Sequence, residues 1–79
     1  MKACRVHIQL DPSKIIYLNG VLDSYEGLGI MRTADESAGK VIIYTTMHDE
    51  PTVKALIEAI SQEGVKISVT DTDYEDYIG

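Results

Sequence analysis

The sequence predicts an α+β domain in which two helices cover one face of a four-stranded antiparallel sheet. Three observations carry that prediction. Residues 3–10 alternate strictly between apolar and polar side chains, the period of a half-buried strand. Val41, Ile42, Ile43 and Tyr44 are four consecutive strand-favouring residues, apolar on both faces as a central strand is. Two further segments space their apolar residues by three and four, and each begins with an acid followed by proline.

In the first strand, Cys4, Val6, Ile8 and Leu10 point one way and Arg5, His7 and Gln9 the other. Asp11 then reads as a helix N-cap, with Pro12 at the first helical position, where a missing N–H costs nothing. Ile15, Leu18, Leu22 and Tyr25 make one apolar stripe with Val21 at its edge, and Gly27 suits the C-terminal cap. Residues 28–34 read as a second strand, with Leu28, Ile30 and Arg32 facing inward and Gly29, Met31 and Thr33 outward. An inward arginine fits the end of an edge strand, or a bulge turns it out. Residues 35–39 are turn formers. The third strand, Lys40–Thr46, places Val41, Ile43 and Thr45 inward and Ile42, Tyr44 and Thr46 on the opposite face. Asp49 or Glu50 caps the second helix and Pro51 lies in its first turn. Val53, Leu56, Ile57 and Ile60 form its apolar stripe, and Gly64 ends it. A fourth strand over residues 65–70 turns Val65, Ile67 and Val69 inward.

The order strand, helix, strand, strand, helix, strand gives a ferredoxin-like βαββαβ sandwich with strand order 4-1-3-2. The chain of 79 residues makes one domain over residues 1–70, followed by an acidic tail over 71–79. Asp71, Asp73 and Glu75 copy the first spacing of a calcium loop, but Asp76 stands where that loop requires glycine. The tail therefore reads as solvated.

Charge and composition exclude several classes. With 13 acidic against 7 basic residues and a net charge of −6, neither nucleic acid nor an anionic membrane surface is an expected partner. No apolar run approaches the roughly 20 residues of a membrane span. The single cysteine, Cys4, forms no internal disulfide, which predicts a reducing, cytoplasmic compartment. His7 and His48 lie far apart and outside any recognisable motif, and Ser13 beside Lys14 is no nucleophile motif. No enzyme activity, metal or cofactor is expected. The outward face, with Arg5, His7, Gln9, Ile42 and Tyr44, is amphipathic and reads as an interface. A small domain without disulfide or metal also gains from self-association.

An RNA-recognition motif would need aromatic and basic residues on its central strands, yet the chain has no Phe or Trp. A metallochaperone would need a second cysteine. From residue 6 to 64 the chain instead resembles an ACT-type regulatory domain. The resemblance rests on Leu10-Asp11-Pro12 ending strand one, on the helix from Ile15 to Leu22, and on Gly27-Leu28-Gly29-Ile30 opening strand two. It is similar in particular to a small uncharacterised bacterial family of stand-alone ACT-like domains. The resemblance implies a regulatory module that pairs through its sheet as a dimer or higher homo-oligomer and binds an amino acid at the interface. It assigns Asp11, Pro12, Ser13, Lys14, Ile15, Leu28, Gly29 and Ile30 to that site. Ser13 and Lys14 replace the glycine usual in the loop, and Gly29 replaces an asparagine and leaves room at the same place. The alternative is a protein–protein interaction module without a small ligand, using the open sheet face or the acidic tail.

Overall fold

The computed structural model describes residues 2–76. Seven elements follow in order: β1 (Lys2–Leu10), a 3₁₀ turn (Pro12–Lys14), α1 (Ile15–Asp23), β2 (Ile30–Asp35), β3 (Lys40–Thr46), α2 (Glu50–Gln62) and β4 (Ile67–Asp76). All strand pairs are antiparallel and the sheet order is β2-β3-β1-β4, the ferredoxin-like arrangement expected from the sequence. β3 lies inside the sheet, as its two-faced apolar run requires.

The core forms on one face. Cys4, Val6, Ile8 and Leu10 from β1 meet Val41 and Ile43 from β3, with Ile15, Leu18 and Leu22 of α1 and Val53, Ile57 and Ile60 of α2 packed over them. Asp11 caps the first helical turn, its Oδ1 accepting from the Ser13 backbone N–H at 2.9 Å and the Ser13 hydroxyl at 2.8 Å. α1 ends at Asp23, so Tyr25 falls beyond the helix and is 45% exposed rather than part of the buried stripe. Gly39 closes the β2–β3 hairpin with φ +70°, where a Cβ would lie 1.8 Å from the Leu10 carbonyl oxygen. Only glycine fits so close a backbone approach.

Two parts of the sheet depart from the sequence pattern. In β2 the faces are reversed. Met31 stands opposite Ile43 and Thr33 opposite Val41, so these two point towards the core, while Ile30 and Arg32 stand opposite Tyr44 and Ile42 on the open face. Leu28 is buried and Ile30 is 72% exposed, because the regular strand begins only after Gly29. A simple alternation counted from Leu28 therefore has the wrong phase.

The larger departure is in β4. The strand begins at Ile67 and continues to Asp76, six residues past the expected end. Residues 71–76, expected to be a solvated tail, pair with residues 2–7 of β1; Tyr77, Ile78 and Gly79 lie outside the described residues. Val69 is opposite Ile8 but Asp71 is opposite His7, which leaves Thr70 as an extra residue in a bulge. A one-residue insertion reverses which face each later side chain occupies. Before it, Ile67 and Val69 face the core; after it, Thr72 and Tyr74 do, opposite Val6 and Cys4.

Ile43 has no exposed surface, whereas Ile16 is 87% exposed. Ile43→Ala is expected to cost about 2–5 kcal/mol of unfolding free energy through lost burial and a cavity, against less than about 0.5 kcal/mol for Ile16→Ala. Urea denaturation of the two variants checks the difference.

Candidate functional site

The sheet face away from the helices is built in rows, because residues directly opposite in antiparallel strands project to the same side. One row runs Arg32, Ile42, His7, Asp71 from β2 to β4; the next runs Ile30, Tyr44, Arg5, Asp73; a third holds Thr46, Ala3 and Glu75. Arg5, His7, Gln9, Ile42 and Tyr44 all lie on this face, half-buried. The bulge at Thr70 adds the acids of β4 to it.

Those acids meet the bases of β1. Arg5 Nε donates to Asp73 Oδ1 at 2.5 Å and His7 Nε2 lies 2.7 Å from Asp73 Oδ2. Glu75 Oε2 is 3.5 Å from Arg5 Nη1. The hydrogen bond from Arg5, then that from His7, holds the Asp73 carboxyl below the ordinary aspartate range. His7, Asp71 and Asp73 bring ligand atoms within 4.8 Å of one another. Arg5 already engages Asp73, so that carboxylate has its cation within the chain, while Asp71 makes no ion pair among the described residues. Gln9 turns to the neighbouring hairpin and donates to the Ala38 carbonyl.

A second polar group anchors β4 from the helix side. The Tyr74 hydroxyl donates to Glu50 at 2.7 and 2.8 Å, and Lys54 Nζ lies 2.7 Å from Glu50 Oε2. The Lys54 and Tyr74 hydrogen bonds hold the Glu50 carboxyl low. The Glu50 hydrogen bond in turn pushes the Tyr74 hydroxyl up to about 12. Cys4 is fully buried beside this group. Burial and then the Glu50 charge push its thiol up, the opposite of what a thiolate nucleophile needs.

An apolar cleft of about 610 Å³ lies at the end of the sheet where β2 begins. Leu28, Gly29, Ile30 and Tyr44 form its wall, and Asp49 and Glu75 stand at its rim. Thr45 fixes the wall by donating its hydroxyl to the Leu28 carbonyl at 2.7 Å. Gly29 serves backbone packing: a Cβ there would lie 2.9 Å from the Tyr44 carbonyl oxygen and 3.0 Å from Ile43 Cγ2.

The two halves of the ligand site assigned by resemblance are not together in one chain. Leu28, Gly29 and Ile30 line the cleft. Asp11, Pro12, Ser13, Lys14 and Ile15 follow the far end of β1, beyond the Gln9–Lys40 pair, whereas Ile30 pairs with Tyr44. Four residues of β3 separate those pairs, about 13 Å of strand. Ile15 is core, and Asp11 is occupied by Ser13. Glu75 and Asp49 are not assigned to the site by the sequence, where Glu75 reads as part of a solvated tail and Asp49 as a helix cap. His48 lies in the turn after β3, next to the end where Thr46 pairs with Ala3, four residues along β1 from His7.

The low Asp73 value fixes a sign. A carboxylate whose pKa is lower folded than unfolded stabilises fully above its unfolded value, about 3.9, and loses that contribution as pH falls through the folded value. Unfolding free energy is expected to fall between about pH 5 and pH 2, and Asp73→Asn to flatten the slope. Urea titrations across that range check it; an unchanged slope would contradict the ion-pair assignment.

No curated protein and no solved structure gives a significant match to the chain. No helix among the described residues is long and apolar enough to cross a membrane. Residues 8–63, from the middle of β1 to the end of α2, match a family described as "Domain of unknown function (DUF4911)". With more than half of its length covered by that match, the chain belongs to the DUF4911 family.

Proposed function

We propose that this domain is a non-catalytic regulatory module of ACT type that binds a small amino acid-like molecule in the cleft at the start of β2. The cleft itself carries the reading: its wall is apolar, from Leu28, Ile30 and Tyr44, and its rim holds two carboxylates, Asp49 and Glu75. Ligand sites combine an apolar lining with a few placed polar groups in this way. The carboxylates suit an ammonium group and the wall suits an apolar side chain. The Asp11 loop is left as a helix cap, since its carboxylate is held by Ser13 and repels a ligand carboxylate. The resemblance to ACT domains supports the amino acid class. It also supports a homodimer in the cytoplasm.

The second reading, an interaction module without a small ligand, is favoured by the open face. Ile30 is 72% exposed there beside the half-buried Ile42 and Tyr44.

A thermal-shift screen with apolar amino acids and their amines separates the two. Ligand at ten times its Kd adds about 1.4 kcal/mol, which raises Tm by roughly 6–11 °C for a domain of this size. Glu75→Gln is expected to weaken the response about tenfold, the scale of a lost charged hydrogen bond. No shift at millimolar ligand would remove the small-molecule reading.

A further inference from the structure

We infer that the open sheet face is covered by a second copy of this chain, related by a two-fold axis that runs parallel to the strands between β3 and β1. The charge pattern of the face selects both the occupant and the axis. Asp73 is satisfied within the chain by Arg5 and His7. Among the described residues, Arg32 and Asp71 make no ion pair. They stand at opposite ends of one row, Arg32 on β2 and Asp71 on β4, with Ile42 and His7 between them.

Two sheets packed face to face keep their strands roughly aligned, about 10 Å apart. An isologous pair of this kind has its axis in the plane between the sheets. An axis along the strands preserves position along each strand and exchanges the edges. β2 then lies over the partner's β4, and β3 over the partner's β1. Arg32 meets the partner's Asp71, and the partner's Arg32 meets Asp71, so the dimer gains two ion pairs. Tyr44 comes over the partner's Arg5, a cation–π arrangement. Ile30 meets the partner's Asp73, whose carboxylate is already engaged by Arg5 and His7 of its own chain. An in-plane axis across the strands would instead lay β4 on β4. Asp71, Asp73 and Glu75 would then face the same acids, and Arg32 would stay unmatched on the β2 edge. Like charges across an interface oppose that mode.

The axis has a further consequence. It keeps the Asp11 loops of both copies at the end of the assembly away from the clefts. The cleft wall at Ile30 and Tyr44 then faces the partner's β4 and β1, with the partner's Glu75 on that side, and not the partner's Asp11 loop. The dimer does not depend on a ligand and is tested without one.

Sedimentation equilibrium of the ligand-free protein at low salt tests it, with circular dichroism confirming that each variant is folded. The wild type is expected to be a dimer at micromolar concentration. Arg32→Glu and Asp71→Arg each place like charges opposite and are expected to raise the dissociation constant at least about tenfold; Arg32→Gln, which only removes charge, weakens association less. The double variant Arg32→Glu/Asp71→Arg is expected to recover the dimer. So is an equimolar mixture of the two single variants, because every facing pair in that heterodimer is complementary. A monomeric wild type at hundred-micromolar concentration, single variants that dimerise as the wild type does, or failure of both the double variant and the mixture to recover would overturn the inference. A ligand screen without response leaves each of these outcomes readable, so the two proposals fail separately.

Discussion

One unpaired residue, Thr70, decides which side of the sheet carries the charge of the last strand. Ile67 and Val69 must face the helices to complete the core. Without an insertion, every second residue after them would face the same way, and Asp71 and Asp73 would be driven against Val6 and Cys4. Burying two carboxylates there without partners would cost several kcal/mol each. The bulge removes that conflict. Beyond it, Thr72 and Tyr74 take the inner positions and the acids turn outward to Arg5 and His7. The Thr70 hydroxyl, out of the ladder, donates to the His7 carbonyl at 3.3 Å.

The strand is thereby held on both faces by charge-assisted hydrogen bonds. On the open side Asp73 takes bonds from Arg5 and His7; on the helix side Tyr74 donates to Glu50, which Lys54 also engages. Successive residues of one strand thus tie β1 and α2 together through the sheet. These pairs are exposed enough that each adds little alone. Their main effect is to specify register, since a slip by one residue would exchange both sets of partners at once. The cleft inherits this order, because Glu75 reaches its rim only when β4 is in this phase.

The sequence was most legible where one signal had one reading. The strict alternation of β1, the apolar run of β3 and the stripe of Val53, Ile57 and Ile60 all fall where their periods place them. Asp11 caps its helical turn as its pairing with Pro12 suggests. Legibility failed where alternation is interrupted. Gly29 resets the phase of β2, and its reason for being glycine lies in a backbone contact with Tyr44 that no local pattern encodes. The acids after Thr70 look like a solvated tail because their partners, Arg5 and His7, are more than sixty residues away. The cleft was half legible: resemblance pointed to Leu28, Gly29 and Ile30, while Asp49 and Glu75 reach it only through the sheet register.

Cross-strand nuclear Overhauser contacts between β1 and β4 measure that register most directly. The bulged register places Ile8 beside Val69, His7 beside Asp71, Val6 beside Thr72 and Cys4 beside Tyr74, with Thr70 unpaired. Observing that set would confirm that the acids of β4 share a face with Arg5 and His7. Contacts of Val6 with Asp71 and of Cys4 with Asp73 would instead describe a strand without the bulge, and would contradict the arrangement of both the open face and the cleft.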